Sequence, residues 1–353
     1  MRVNSVLSRI GISALAVAGL LLSGCSASVP APVEIPGSAA PVADGALTLY
    51  SGRDEELVQP LIDQFTAETG IAVEVRYGNT PELAALLLEE GKASPADVFL
   101  SQDAGALGAL SQAGLFRTLP DDITSAMPVG FTSTDGTWVG VTGRARVIVY
   151  DGERYTAEEL PDTIDGFVTD DWAGQLAVAP GNASFQSFVT ALRVLDGEDA
   201  ASTWVEALAG NSPQIFEGNG AILTAVNGGV VDAGLINHYY WYRAAAEVGP
   251  ENMRARLKFL TAGDAGSIVN VSGAGILTGA AADADALEFV RYLVSQAGQR
   301  YFVEQTFEYP LLPGVASPEG VPSLASLLNP ELDLSDLEDL ATTQKLLSDA
   351  GLI

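Results

Sequence analysis

The sequence holds one cysteine, Cys25, and one histidine, His238. A lone cysteine excludes an internal disulfide, and the two together exclude the several His or Cys ligands of a zinc site. A Ser-His-Asp triad would have to use His238, and no Gly-x-Ser-x-Gly turn leads into a helix. No Gly-x-x-x-x-Gly-Lys phosphate loop is present either. These gaps argue against an enzyme. Positive charge is scarce as well: 17 Lys and Arg face 45 Asp and Glu, for a net charge of −28 over 353 residues. Phosphate binding needs clustered basic side chains, so nucleic acid is excluded as a partner. The same acidity excludes an electrostatic hold on anionic lipid. Beyond the N-terminus no apolar run is long enough to span a bilayer.

What is there begins at the N-terminus. Arg2 and Arg9 precede the short apolar core Ile10 to Leu22, the pattern of an export signal over residues 1–24. Leu22-Ser23-Gly24-Cys25 resembles the lipobox of bacterial lipoproteins, which makes Cys25 the expected site of lipidation. Residues 25–45, rich in Ala, Pro, Ser and Val, show no helical or strand period and read as a flexible tether. The expected location is outside the cell interior, lipid-anchored on the outer face of the cytoplasmic membrane. Without Arg2 and Arg9, residues 25–353 carry 15 basic against 45 acidic side chains, a net charge of −30.

The folded region starts at Ala46. Strands are expected at Ala46–Tyr50, Ile71–Tyr77 and Asp97–Leu100. Helices separate them, the first carrying Leu57, Leu61 and Phe65 on one face and the second opening on Thr80-Pro81-Glu82. This β-α-β-α-β order calls for a parallel sheet. Ligands of open α/β sheets sit beyond the carboxyl ends of the strands. Those ends read Ser51-Gly52-Arg53-Asp54, Gly78-Asn79-Thr80 and Ser101-Gln102-Asp103, all small and polar. A second α/β unit follows. Its expected strands are Val147–Tyr150, Leu176–Ala179, Val231–Ile236 and Ile268–Leu277, with helices after Ser184, over Ala221–Val226 and over Asp283–Gln296. The tail, Leu332 to Leu352, reads as helical and acidic.

The stretch Ile236-Asn237-His238-Tyr239-Tyr240-Trp241-Tyr242 places two adjacent tyrosines at the end of an apolar strand. A phenolate is a hard anionic oxygen donor, suited to a hard, highly charged cation. The free phenol has a pKa of about 10, so only a strong Lewis acid ionises it at neutral pH, and ferric iron does so. The same residues also suit a packed aromatic cluster.

Residues 46–353 resemble the ferric-ion-binding proteins of bacterial ABC importers. The resemblance rests on Leu49-Tyr50-Ser51-Gly52-Arg53, Ser94-Pro95-Ala96-Asp97-Val98-Phe99, Gly143-Arg144-Ala145-Arg146-Val147-Ile148-Val149-Tyr150, Ile236-Asn237-His238-Tyr239-Tyr240-Trp241 and Glu308-Tyr309-Pro310-Leu311. It implies an α/β, two-lobe periplasmic-binding-protein-like fold (type II) with a hinge, and handover of the ligand to a membrane permease. The first lobe would comprise residues 46–143 and 270–320, the second 144–269 and 321–353. A monomer is expected.

By the same resemblance, Tyr239 and Tyr240 align with paired metal ligands, and Tyr150 stands where some members carry a third tyrosine. Asp54 stands where several members place a histidine ligand, and Gln102 where they place a glutamate. Asp54 either binds the ion or caps the helix after it; Gln102 is a poor ferric ligand. Three protein donors leave coordination positions open, which the family fills with carbonate, phosphate or a similar synergistic anion. The expected anion holders are Arg53 and Arg144, the helix start Asn182-Ala183-Ser184, Asn219 and Asn237. His238 is expected to point away from the tyrosines and to bind no metal. The rival reading is a lipoprotein that binds an organic or oxyanion ligand, with Tyr239 and Tyr240 as cleft walls.

Overall fold

The structure is a computed structural model that describes residues 46–128, 130–280, 283–329 and 332–353. The expected export signal, tether and Cys25 lipidation lie outside these residues. No helix among the described residues is long and apolar enough to cross a membrane.

The first unit runs β1 (Leu47–Ser51), α1 (Glu55–Thr69), β2 (Val73–Tyr77), α2 (Thr80–Glu90), β3 (Val98–Ser101) and α3 (Ala104–Gln112). β1 pairs in parallel with both β2 and β3, as the alternation of strand and helix requires. Leu57, Val58, Leu61, Ile62 and Phe65 bury one face of α1, and Gly70 ends it in the left-handed conformation. A short helix α4 (Asp121–Thr124) leads to β4 (Trp138–Asp151), a fourteen-residue strand buried throughout.

The remaining elements are β5 (Leu176–Val178), α5 (Ala183–Asp196), α6 (Glu198–Gly210), β6 (Gln214–Ile215), α7 (Asn219–Asn227), β7 (Ala233–Asn237) and α8 (His238–Val248). Then come β8 (Ala255–Lys258), β9 (Val269–Ile276), α9 (Ala284–Val294), α10 (Gln296–Tyr301), β10 (Tyr309–Pro310), α11 (Leu324–Leu327) and α12 (Leu340–Asp349). The strand order is β2-β1-β3-β9-β4-β7-β5-β6, with β10 and β8 also on β4. β9 is thus inserted antiparallel between β3 and β4.

β4 changes partners along its length. Residues 138–145 pair with β9, whereas residues 146–150 pair with β7. Arg144 lies opposite Asn270 and Arg146 opposite Asn237, one on each side of the changeover. Apolar side chains cover both faces of the strand: Ala145 and Ile148 belong to the main core, Val147 and Val149 to a smaller one with Ile222, Val226 and Ile236.

The tail is helical, as expected, in two pieces. A 3₁₀ turn over Leu334–Glu338 lies on α3, where a Cβ at Gly105 would meet the Leu337 carbonyl at 2.8 Å and one at Gly108 the Glu338 side chain at 2.6 Å. α12 then crosses α5, and Arg193 ties it down through Asp339 at 2.8 Å and Thr343 at 2.9 Å.

One expectation needs correction at the site itself. The tyrosine pair is not at a strand end. β7 stops at Asn237, and Tyr239 and Tyr240 form part of the first turn of α8. The helix buries His238, Tyr239 and Ala245 on one side, and the apolar strand running into the aromatic residues hid its start.

Candidate functional site

Two of the polar strand ends, Arg53-Asp54 and Gly78-Asn79, meet at one cavity of about 860 Å³, lined also by Asn182, Asn219 and Tyr240 among others. Its mouth carries Glu55, Glu56, Glu82 and Glu217, with Arg243 the added cation. The first turn of α8 brings Tyr239 and Tyr240 together, their rings stacked at 4.4 Å between centroids and 26° between planes. Tyr239 is fully buried, and its Oη has no hydrogen-bond partner of normal geometry. The Tyr240 Oη donates to Asp54 Oδ2 at 3.2 Å. Burial raises the Tyr240 pKa well above its ordinary value, and negative charge on Tyr239 or Asp54 raises it further, so the free phenol keeps its proton at neutral pH.

Asp54 stands at the N-cap position of α1 but makes no capping hydrogen bond. Its carboxylate serves the tyrosine instead. Gln102 accepts from the Nδ2 of Asn182, a cavity residue, at 3.4 Å. Tyr150 is not brought to the pair. It lies opposite Ala233, at the far end of β7 from Asn237. Four residues separate it from Arg146, about 13 Å along an extended strand. Burial raises its pKa too, with Arg256 opposing.

His238 is buried and saturated. Its Nδ1 accepts from the Ala145 N–H at 3.2 Å, so the proton sits on Nε2, which donates to the Phe307 carbonyl at 3.0 Å. Burial lowers its pKa to about 4. Both ring nitrogens are engaged away from the tyrosines, as expected of a structural histidine.

The predicted anion holders divide into two kinds. Arg53 is consumed: Nη1 and Nη2 donate to the two oxygens of Glu308 at 2.8 Å each, and both residues are buried. Glu308 also accepts from Thr142 at 2.9 Å and Thr306 at 2.8 Å. Burial alone would lower the Arg53 pKa, but Glu308 outweighs it and holds it above the usual range. Arg144 is largely free. Only Nη2 is engaged, with the Val271 carbonyl at 3.2 Å, and Nε and Nη1 have no partner.

Asn182, Ala183 and Ser184 open α5, with the Asn182 side chain accepting from the Ser184 N–H. Asn219 opens α7 and donates to Asn182 Oδ1 at 3.2 Å and Ser184 Oγ at 3.1 Å. Asn237 precedes α8 with its Nδ2 unpartnered.

Sequence reasoning missed Arg146. It shares a face of β4 with Arg144, two residues away. Its Nη1 donates to Ser184 Oγ at 3.2 Å and Asn219 Oδ1 at 2.9 Å, while Nε and Nη2 have no partner. Burial and the charge of Arg144 lower its pKa to about 9. The alternation Arg144-Ala145-Arg146 inside an otherwise apolar strand was the available signal, since buried arginine is rare unless paired.

The unpartnered buried groups on Arg53, on β4 and its neighbours β7 and β9, and at the tyrosine pair are Arg53 Nε, Arg144 Nε and Nη1, Arg146 Nε and Nη2, Asn237 Nδ2, Asn270 Nδ2 and the Tyr239 hydroxyl. All are hydrogen-bond donors. A buried donor without an acceptor costs about 1–3 kcal/mol, so such a set calls for an acceptor-rich occupant. Facing it are hard oxygen donors for a cation: two phenols and the Asp54 carboxylate. Among the described residues no three His, Cys, Asp or Glu side chains cluster to hold a metal. A metal here would therefore rely on tyrosine.

The sequence profile of the family described as bacterial extracellular solute-binding protein matches residues 93–333. The major ferric iron-binding protein of Neisseria meningitidis serogroup B is 34% identical over 94% of this chain and 97% of its own length. The Fe(3+)-binding periplasmic protein of Serratia marcescens is 32% identical over 90% of this chain and 94% of its own. Among solved structures, iron-bound HitA from Pseudomonas aeruginosa superimposes with a TM-score of 0.82 at 31% identity, covering 87% of this chain and 99% of that one. FutA from Trichodesmium, in complex with iron and citrate, gives 0.72 at 30% identity, covering 88% and 100%. The fold is the two-lobe α/β fold expected from the motifs. The chain belongs to the bacterial extracellular solute-binding proteins, a transport family and not an enzyme family, together with these relatives.

Proposed function

We propose that this protein captures Fe(III) in the cavity at the first turn of α8 and delivers it to an ABC importer permease. Tyr239 and Tyr240 are the principal ligands, with Asp54 as a third oxygen donor. The observation that carries this reading is the stacked tyrosine pair, with one Oη buried without a partner and the other resting on a carboxylate. A trivalent ion displaces the phenolic protons, including the one that burial otherwise retains on Tyr240. The names of the relatives support ferric iron as the cargo.

A small synergistic anion, carbonate or phosphate-like, completes the coordination. The N-termini of α5 and α7 with Asn182, Ala183, Ser184 and Asn219, together with Asn237 and Arg144, supply its donors. Two lobes, residues 46–143 with 270–320 and residues 144–269 with 321–353, close over the ion because ligand contacts from both favour the closed state. The chain acts outside the cytoplasm as a monomer, held to the membrane through lipid on Cys25.

The test is a visible absorption titration of the iron-stripped protein with ferric citrate, with and without bicarbonate. An orange-to-red phenolate-to-iron band that saturates near one equivalent is expected. Folded protein that gives no band would sink the metal reading. It would favour the rival one, in which the donor-lined wall takes an organic or oxyanion ligand between aromatic walls.

A further inference from the structure

Two helices begin beside the cavity, one from each proposed lobe. α5 starts at the cavity residue Asn182, and α3 starts directly after Gln102, which accepts from Asn182 Nδ2. Behind that contact the helices stay in touch. Ser187 of α5 donates to the carboxyl of Asp103, the N-cap of α3. A movement that parts the lobes here has to part α3 from α5.

The tail lies over both helices. Its 3₁₀ turn, Leu334–Glu338, packs on α3 with Leu334 and Leu337 buried. Gln112 of α3 donates to Glu338, and Gly105 and Gly108 admit the turn because they carry no Cβ. α12 packs on α5, where Thr190 and Thr343 share a hydrogen bond at 2.7 Å and Gln344 donates to Gln186 at 3.2 Å. Asp339 joins the two pieces. It caps α12 by accepting from the Thr342 N–H at 3.1 Å, and its carboxylate accepts from Arg193 Nη2 of α5 at 2.8 Å. Its carbonyl accepts from Arg193 Nη1 at 2.9 Å.

Glu338 is therefore held on α3 and its neighbour Asp339 on α5. Adjacent Cα atoms are about 3.8 Å apart, so no slack lies between the two ties. α3 and α5 cannot separate at this level until one tie gives way. None of the strap residues, nor Gly108 or Arg193, lines the cavity.

We propose that the tail is a strap across the lobe boundary, jointed at Asp339, that restrains opening of the cavity and slows escape of the cation. The proposal rests on the two-lobe ferric reading and assigns the rate of opening to residues remote from the ligands.

The test loosens each end of the strap separately. In Gly108→Ala the new Cβ would stand 2.6 Å from the Glu338 side chain, which lifts the turn from α3. Asp339→Asn keeps a capping side chain and weakens the tie to Arg193. Iron-loaded proteins are mixed with excess EDTA, and decay of the phenolate band is timed. Each variant should release iron about three- to tenfold faster than wild type while capturing it at a rate within about twofold, because loosening acts on dissociation.

A second readout needs no iron. Leu88 and Val230 are exposed, one on each proposed lobe. Spin labels on Leu88→Cys and Val230→Cys, in a Cys25→Ser chain, report the lobe separation of the iron-free protein. Gly108→Ala and Asp339→Asn should each shift the distances towards longer values. A merely structural tail would lower the melting temperature and move neither readout, and that result would overturn the proposal. A wild type without a phenolate band would remove the ferric site. The label distances would then still decide the strap, longer ones in the variants upholding it and equal ones overturning it.

Discussion

The Asp151 end of β4 and its Arg144–Arg146 stretch contain the same chemistry in opposite states. At the Asp151 end both buried carboxylates, Asp151 and Asp232, are answered. Arg254 donates to both Asp151 oxygens at 2.8 and 2.6 Å, Arg154 pairs with Asp151 and Asp232, and Tyr155 donates to Asp232 at 3.0 Å. At the Arg144–Arg146 stretch four guanidinium nitrogens have no partner, beside a phenol with none. The first end is fastened and needs nothing more. The second carries donors in excess, and a fold retains such costly groups where a ligand repays them. Saturation therefore separates structural charge from binding charge better than charge itself does.

The largest test removes the ligands. Tyr239→Phe and Tyr240→Phe should each weaken iron binding by more than the about 10–100-fold that outer-shell partners cost. Tyr239→Phe should melt at or above the wild-type temperature, because its hydroxyl has no hydrogen bond to lose, whereas Tyr240→Phe gives up the bond to Asp54 and should melt slightly lower. Unchanged affinity in both, read from the absorption titration, would break the comparison at its binding end.

At the saturated end the effect should fall on stability alone. Asp151→Asn leaves Arg254 poorly answered and should cost about 1–3 kcal/mol in denaturant unfolding, with iron affinity unchanged. A loss of iron affinity there would show that the two ends are coupled.

His238 gives a subtler test through pH. Its folded pKa is about 4, below the unfolded value of about 6.5. Between those values the unfolded chain binds a proton that the folded chain does not, so stability falls as pH drops through that window. Melting curves of the iron-free protein should show a gentler pH dependence for His238→Gln, which should also keep its iron affinity at pH 7. Parallel curves for both proteins would reject the buried, neutral ring. The smallest effect is expected at Tyr150→Phe, whose titration should overlay that of wild type. A lost or shifted band would place Tyr150 among the ligands against the geometry.

Much of this was legible in the sequence because it is local. The first parallel strands follow from helical and strand periods within about thirty residues of one another. The tyrosines, Arg144, Asn219 and the start of α5 were found from motifs, and Tyr240, Asn219 and Asn182 among them line the cavity. What failed was non-local. Arg53 looked available because Glu308, its partner, lies 255 residues away. Tyr150 looked close because motif order says nothing about which end of β7 it meets. Arg146 went unread as a site residue because its partners, Ser184 and Asn219, lie 38 and 73 residues away.

The placement of β9 bears on how the chain reaches this form. β3 and β4 are neighbours only through a strand made more than a hundred residues after either begins its turn in the sheet. The first unit therefore cannot complete its sheet while the chain is short, and the 3₁₀ turn that covers α3 is made later still. Loop closure over such separations slows folding and leaves unpaired strand edges open in the meantime. A nascent chain of this topology therefore keeps the β3 edge unpaired until β9 has been made.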